Sequence, residues 1–183
     1  MSKAKTKKES GIKSSIFVKN ILTRKIYIPF NSIGNNIKLN IKTILEDTLY
    51  KKCCQEGYIK DDSIKILSYS SGVVEDVNVA FDVMFECLIC RPVEGQIIEC
   101  IVKNITKAGI RAIYQSEKES PITIFIARDH HYNNEYFTSL KENDSITTRV
   151  IGIRFELGDE NISVLSELKI PTKKTAKPKI TII

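Results

Sequence analysis

Cys90–Tyr114 reads CRPVEGQIIECIVKNITKAGIRAIY, and the reading of this stretch decides the fold. It opens on Pro92 and Gly95, residues that interrupt regular structure, and continues into two β-rich runs that meet at a small polar turn. Ile97, Ile98, Cys100 and Val102 fit a strand, Asn104 to Ala108 a turn, and Gly109 leads into a second strand, Ile110 to Tyr114. Residues before Pro92 therefore belong to one unit and residues after Gly95 to another.

Working toward the carboxy terminus, a polar loop at Ser116 to Ser120 precedes Ile122, Ile124 and Ile126, with Phe125 on the opposite face. A polar, aromatic loop follows: Arg128-Asp129-His130-His131-Tyr132. Ile146, Arg149, Ile151 and Ile153 then lead through Phe155 to a turn at Gly158-Asp159-Glu160-Asn161, and Ile162 to Leu165 make a last strand. Five short strands within about 75 residues, with the longest excursion between the third and fourth, form the pattern of an OB barrel. The expectation is an open Greek-key barrel over residues 93–168, with almost no helix.

Working toward the amino terminus, Val77, Val79, Phe81, Val83, Phe85 and Cys87 alternate strictly, as one long strand does. Ser70-Ser71-Gly72 is a turn, and Ile64, Ile66 and Tyr69 suggest a shorter strand before it. The period upstream is helical: Ile33, Ile37, Ile41, Ile44, Leu45, Thr48 and Leu49 recur at steps of three and four, and Asn31 and Ser32 offer capping side chains. This predicts a helix of about five turns, ending before Gly57. Ile16 to Val18, Ile21-Leu22 and Ile26 to Ile28 read as β-runs punctuated by Asn20 and closed by Pro29, at a sheet edge. Residues 14–92 are thus expected to form an α+β unit with its helix on one face of the sheet.

Charge and cysteine usage narrow the function classes. The net charge is +6, but residues 1–13 and 169–183 together carry +9 and the body between them −3. The basic character lies in lysine-rich tails, expected to be disordered. The first residues are unlike a secretory signal and no run is long and apolar enough for a membrane helix, so a soluble intracellular protein is expected. Five cysteines, an odd number, then read as reduced thiols. Cys87 and Cys90 have CxxC spacing, but three residues apart on a strand they face opposite sides, so buried structural thiols are expected and no metal. Gly-rich phosphate loops, HExxH and GxSxG are all absent, and the only two histidines, His130 and His131, have no recognisable partner. A non-catalytic protein without cofactor is expected.

Two units in this order resemble the larger stalk subunit of multisubunit DNA-dependent RNA polymerases, a family found in archaea and, as the seventh subunit, in eukaryotes. The resemblance runs from about Ile16 to Leu168 and is strongest at Cys90-Arg91-Pro92-Val93-Glu94-Gly95-Gln96-Ile97-Ile98-Glu99. Further matches are the helix followed by Gln55-Glu56-Gly57, Gly72 before the long strand, and Ile124-Phe125-Ile126 before the histidine-containing loop. The chain departs from the family at Tyr58-Ile59-Lys60-Asp61-Asp62-Ser63, where a glycine-rich loop is usual, and at Ile110 and Ile113, where S1-type domains carry base-stacking aromatics. Thirty isoleucines, many Lys and Asn and no Trp fit an AT-rich genome. With the resemblance, this points to a large DNA virus that encodes its own polymerase, or to a divergent protist.

The resemblance implies a tip domain docked on the polymerase core, an S1-type OB domain near nascent single-stranded RNA, and a small helical partner subunit. Docking would fall to Cys53, Cys54, Glu56, Gly57 and Tyr58. RNA contact would fall to cations that follow phosphates and rings that stack on bases: Lys103, Lys107, Arg111, Tyr114, Phe125, Arg128, His130, His131 and Tyr132. The place of work would be host cytoplasm or virion for a viral protein and nucleus for a cellular eukaryotic one. The alternative is a free-standing S1-type RNA-binding adaptor in translation or RNA decay, and a purely structural scaffold stands third.

Overall fold

Two strands of thirteen residues organise the first half of the chain. β1 (Phe17–Pro29) runs antiparallel to a partner strand, Asn78–Cys90, without a register break from Phe17 opposite Cys90 to Pro29 opposite Asn78. At about 3.3 Å per residue this ribbon is about 40 Å long. The expected interruption at Asn20 does not occur: Asn20 lies opposite Cys87 and is exposed, and an edge strand tolerates a polar side chain turned to water. The computed structural model describes residues 16–34, 36–115 and 120–170, so the tail assigned to 1–13, the tail assigned to 169–183 beyond Ile170, and residues 116–119 of the polar loop lie outside the described residues.

The helix, α1 (Ile37–Leu49), starts later than the capping signals at Asn31 and Ser32 predict. Phe30–Ser32 instead form a 3-10 turn directly after Pro29, and Asn36 takes the N-cap place without a side-chain hydrogen bond. Asn40 ties turn and helix together by donating from Nδ2 to the Ser32 carbonyl at 2.8 Å. Ile41, Leu45 and Leu49, spaced by four, bury one stripe of α1 against Ile26, Ile28, Ile66, Phe81, Val83 and Phe85.

Four short strands follow α1: β2 (Cys53–Cys54), β3 (Gly57–Ile59), β4 (Lys65–Tyr69) and β5 (Val73–Glu75). The long strand Asn78–Cys90 is therefore β6, and it is the centre of the sheet. β1 covers one of its edges, while β3, β4 and β5 share the other in succession, with β2 outside β3. Three of these strands, β2, β3 and β5, are additions to the expected set, since pieces of two or three residues carry no readable period.

The second half is a closed five-stranded barrel, compatible with an OB-fold, of β7 (Ile97–Ile105), β8 (Gly109–Tyr114), β9 (Ile122–Ala127), β10 (Ser145–Arg154) and β11 (Ile162–Leu168). β7, β8 and β9 form an antiparallel meander, β9 pairs in parallel with β11, and β10 joins β11 back to β7. Closure corrects the open barrel read from the sequence. It depends on the length of β10 and a bulge between Val150 and Gly152: Ser145 to Arg149 pair with β7, and Thr148 to Arg154 with β11. Helix is also present where almost none was expected, as a 3-10 turn at Arg128–His131 and a short α2 (Glu135–Ser139). Asn134 Oδ1 caps α2 by accepting from the Tyr136 and Phe137 amides, and Phe137 joins the barrel core.

The two halves share apolar packing. Ile16, Cys53, Tyr58 and Cys90 belong to the same buried cluster as the barrel's Ile98, Val102, Ile124 and Val164. Cys87, three residues before Cys90, faces the α1 side instead. The two cysteines thus face opposite sides of β6 and sit in different cores. Among the described residues, no helix is long and apolar enough to cross a membrane.

Candidate nucleic-acid interface

Outward-facing residues form a continuous row across the barrel. Asn104 on β7 lies opposite Arg111 on β8, Arg111 opposite Phe125 on β9, and Phe125 opposite Leu165 on β11. All four are exposed, Phe125 at 39%. The Phe125 ring lies over Gly109, where an added Cβ would come within 3.0 Å of Phe125 Cζ and would collide with the Ile126 carbonyl. Only glycine permits that approach. Lys103, exposed at the β7 bulge, borders the row beside Asn104.

One corner of the barrel gathers the cations. The β7–β8 turn is held by Thr106, whose hydroxyl donates to the Gly109 carbonyl at 2.9 Å and accepts from its amide at 3.2 Å. The Arg128 amide donates to Ala108 O at 3.0 Å, and its guanidinium donates to Thr106 O at 3.2 Å while lying 5.7 Å from the Phe137 ring centre. These bonds pin the turn after β9 against the turn after β7. Arg128 thereby stands against the turn that carries Lys107, Arg111 lies opposite Phe125, and the exposed His130 and the acidic Asp129 belong to the same turn as Arg128. Tyr132, 86% exposed, follows in the chain.

Two of the ring candidates sit elsewhere. Tyr114 ends β8 about 17 Å along the strand from Gly109, half-buried against the barrel core beside Cys100. His131 is buried: Nδ1 lies 3.0 Å from the Ala127 carbonyl, and Nε2 accepts the Leu168 amide at 2.9 Å. With Nε2 accepting, Nδ1 is the nitrogen that donates to the Ala127 carbonyl. The ring also stacks on Phe137 at 5.2 Å and 11°. His131 thus ties the loop after β9 to the end of β11.

The residues singled out for docking lie at the junction of sheet and barrel. Cys53 donates its amide to Asp159 O at 2.7 Å and accepts from Gly158 N at 2.9 Å, so β2 is continued by the turn between β10 and β11. Cys53 and Tyr58 are buried in the barrel-side cluster, and burial pushes the Cys53 thiol up to about 11. Cys54 is half-buried, donates from Sγ to Gly57 O at 3.1 Å, and is also shifted up by burial. Gly57 has φ +131°, and a Cβ there would stand 2.5 Å from Cys90 O. Glu56 keeps some surface and pairs with Arg24 of β1 at 2.5 Å, which holds its carboxyl below the usual range.

Exposed apolar side chains cluster at the far end of the β1–β6 ribbon. Phe30 is 60% exposed and Val77 76%, and the Phe30 amide donates to Val77 O at 3.1 Å. Tyr27 and Val73 flank Ala80 on the adjoining strands, and both are exposed, as is Val74. Of this patch the sequence offered only Val77, and its alternation with Val79 and Phe81 places it inside a strand. Among the described residues no group of three or more His, Cys, Asp or Glu is arranged to hold a metal ion.

No protein-family model matches the chain. Over 170 residues it is 22% identical to a protein of Acanthamoeba polyphaga mimivirus named as a candidate DNA-directed RNA polymerase subunit, L376, covering 84% of this chain and 82% of that one. Over 111 residues it is 25% identical to DNA-directed RNA polymerase II subunit 7 of Arabidopsis thaliana, covering 59% of this chain and 60% of the plant protein.

Proposed function

We propose that the chain is a non-catalytic stalk subunit of a DNA-dependent RNA polymerase, that its sheet unit docks on the polymerase core, and that its S1-type barrel meets nascent single-stranded RNA. The observation that carries this reading is the similarity to the mimivirus protein along 170 residues, a span too long to lie within either unit alone. A viral polymerase is the favoured host complex for the same reason, and a small helical subunit completes the stalk.

The division of labour follows from what each surface offers. The barrel corner with Lys107, Arg111, Arg128 and Phe125 combines cations with one open ring, which suits weak, sequence-tolerant contact to a single strand. Cys53 and Tyr58 hold the barrel against the sheet and so set the angle of the stalk. The apolar far end, with Phe30, Val74 and Val77, is the part of the sheet unit best suited to entering a pocket of the core.

The test is affinity purification of the tagged full-length chain from its native source at moderate salt, followed by mass spectrometry. Large polymerase subunits and one small helical protein are expected in constant proportion. Recovery of RNA with ribosomal or nuclease components, and no polymerase, would replace the stalk by the free-standing adaptor.

A further inference from the structure

An open groove of about 670 Å³ runs between the start of α1 and strand β4, remote from the barrel corner. Ile37, Leu39, Ile64, Ile66 and Tyr69 make its apolar part, and Tyr69 is braced edge-on against Phe81 with ring centres 6.3 Å apart. Lys38, Lys42 and Lys65 also line it, and none of the described residues lining it is acidic. Lys42 is partly neutralised by Glu46 at 3.4 Å, whereas Lys38 and Lys65 have no ion pair among the described residues.

A further source of positive potential lies at the same end. α1 has no acidic residue in its first turn, and Asn36 makes no side-chain cap. The Leu39 and Asn40 amides bond to Asn36 O, which leaves those of Ile37 and Lys38 among the donors an α-helix does not satisfy internally. An apolar trough with this charge is complementary to one kind of occupant.

We propose that the α1–β4 groove binds a short segment of a partner protein in which Leu, Ile or Phe is flanked by Asp or Glu. The apolar side chains would cover Ile37 and Ile66 against Tyr69, and the carboxylates would meet Lys38, Lys65 and the open end of the helix. A nucleic-acid strand fits less well, because one tyrosine is the only ring among the described residues of the groove and phosphates gain nothing from aliphatic walls. The proposal stands independently of the polymerase reading.

The experiment pans the full-length chain against a random dodecapeptide display library. Enriched peptides are then titrated by fluorescence anisotropy against the wild type, Lys38→Glu/Lys65→Gln, Tyr69→Ala and, as a remote control, Arg111→Glu, with circular dichroism confirming that each variant is folded. Enrichment of acidic–apolar peptides is expected, with affinity weakened about tenfold or more by each groove variant and unchanged by the control. Peptides of another composition, or equal affinity for wild type and groove variants, would overturn the proposal. So would displacement of the bound peptide by a single-stranded oligonucleotide, or a self-association of the chain that the groove substitutions abolish.

Discussion

The Cys53 amide and the Asp159 carbonyl meet at 2.7 Å, and with the Gly158–Cys53 bond they extend the sheet onto the barrel through backbone alone. The apolar residues beneath, Tyr58 and Cys90 among them, pack with barrel side chains, so the two halves are held by ladder bonds and by a shared core. Gly57 is the residue on which this junction turns.

Gly57→Ala should therefore destabilise the whole chain. The substitution strains a backbone at φ +131° and drives a Cβ to 2.5 Å from Cys90 O, where no flexible side chain can give way. A loss of about 2–3 kcal/mol is expected in urea denaturation. Gly95→Ala, with a positive φ but open space around it, should cost only about 1 kcal/mol.

On the barrel, Phe125→Ala should weaken binding of a fluorescein-labelled single-stranded RNA by about tenfold, the scale of one lost base stack. Arg111→Gln should lower the salt dependence of binding by about one phosphate contact, read as the slope of affinity between low and moderate KCl. Tyr114→Leu, at the other end of β8 and half-buried, should leave the affinity unchanged.

His131→Ala should act on stability rather than on RNA. It leaves the buried Leu168 amide and the Ala127 carbonyl without their partner and removes the stack on Phe137. A cost of about 2–4 kcal/mol is expected in thermal or urea denaturation. RNA affinity of the remaining folded fraction should match the wild type, whereas His130→Ala should weaken binding without changing stability.

The thiols should report burial directly. Burial pushes Cys90 up to about 12 and Cys53, Cys87 and Cys100 each up to about 11. At pH 8 a thiol reagent should label half-buried Cys54 first and the other four only in denaturant, because the thiolate is the reacting form. The folded values lie above those of an unfolded chain. Their contribution to stability is therefore complete below the ordinary thiol range and is lost as pH rises from there through about 11 to 12. Denaturation midpoints should fall over that alkaline interval.

The strands of the barrel were legible because Ile98, Cys100 and Val102, or Ile122, Ile124 and Ile126, alternate with outward residues and so report their own buried face. The same alternation revealed β6 and placed Cys87 and Cys90 on opposite faces. It could not reveal β2 and β3, nor the start of α1, where the 3-10 turn after Pro29 takes up the residues that resemble caps. The cations and rings of the candidate RNA site were legible as residue types. Their convergence was not, because Arg128 meets Thr106 and Ala108 only once β8 and β9, which lie between them in the chain, have paired.

By itself the sequence determined which faces are apolar, where the chain turns, and that a sheet-and-helix unit precedes a five-stranded one. Only the tertiary structure decided that the barrel closes, that Cys53 and Tyr58 face the barrel, that His131 is internal while Phe125 is open, and that an exposed apolar cluster forms at Phe30, Val74 and Val77. The reason is physical: a period of two or 3.6 tells a residue's side of its own element, and burial depends on what another element, distant in the chain, brings against that side.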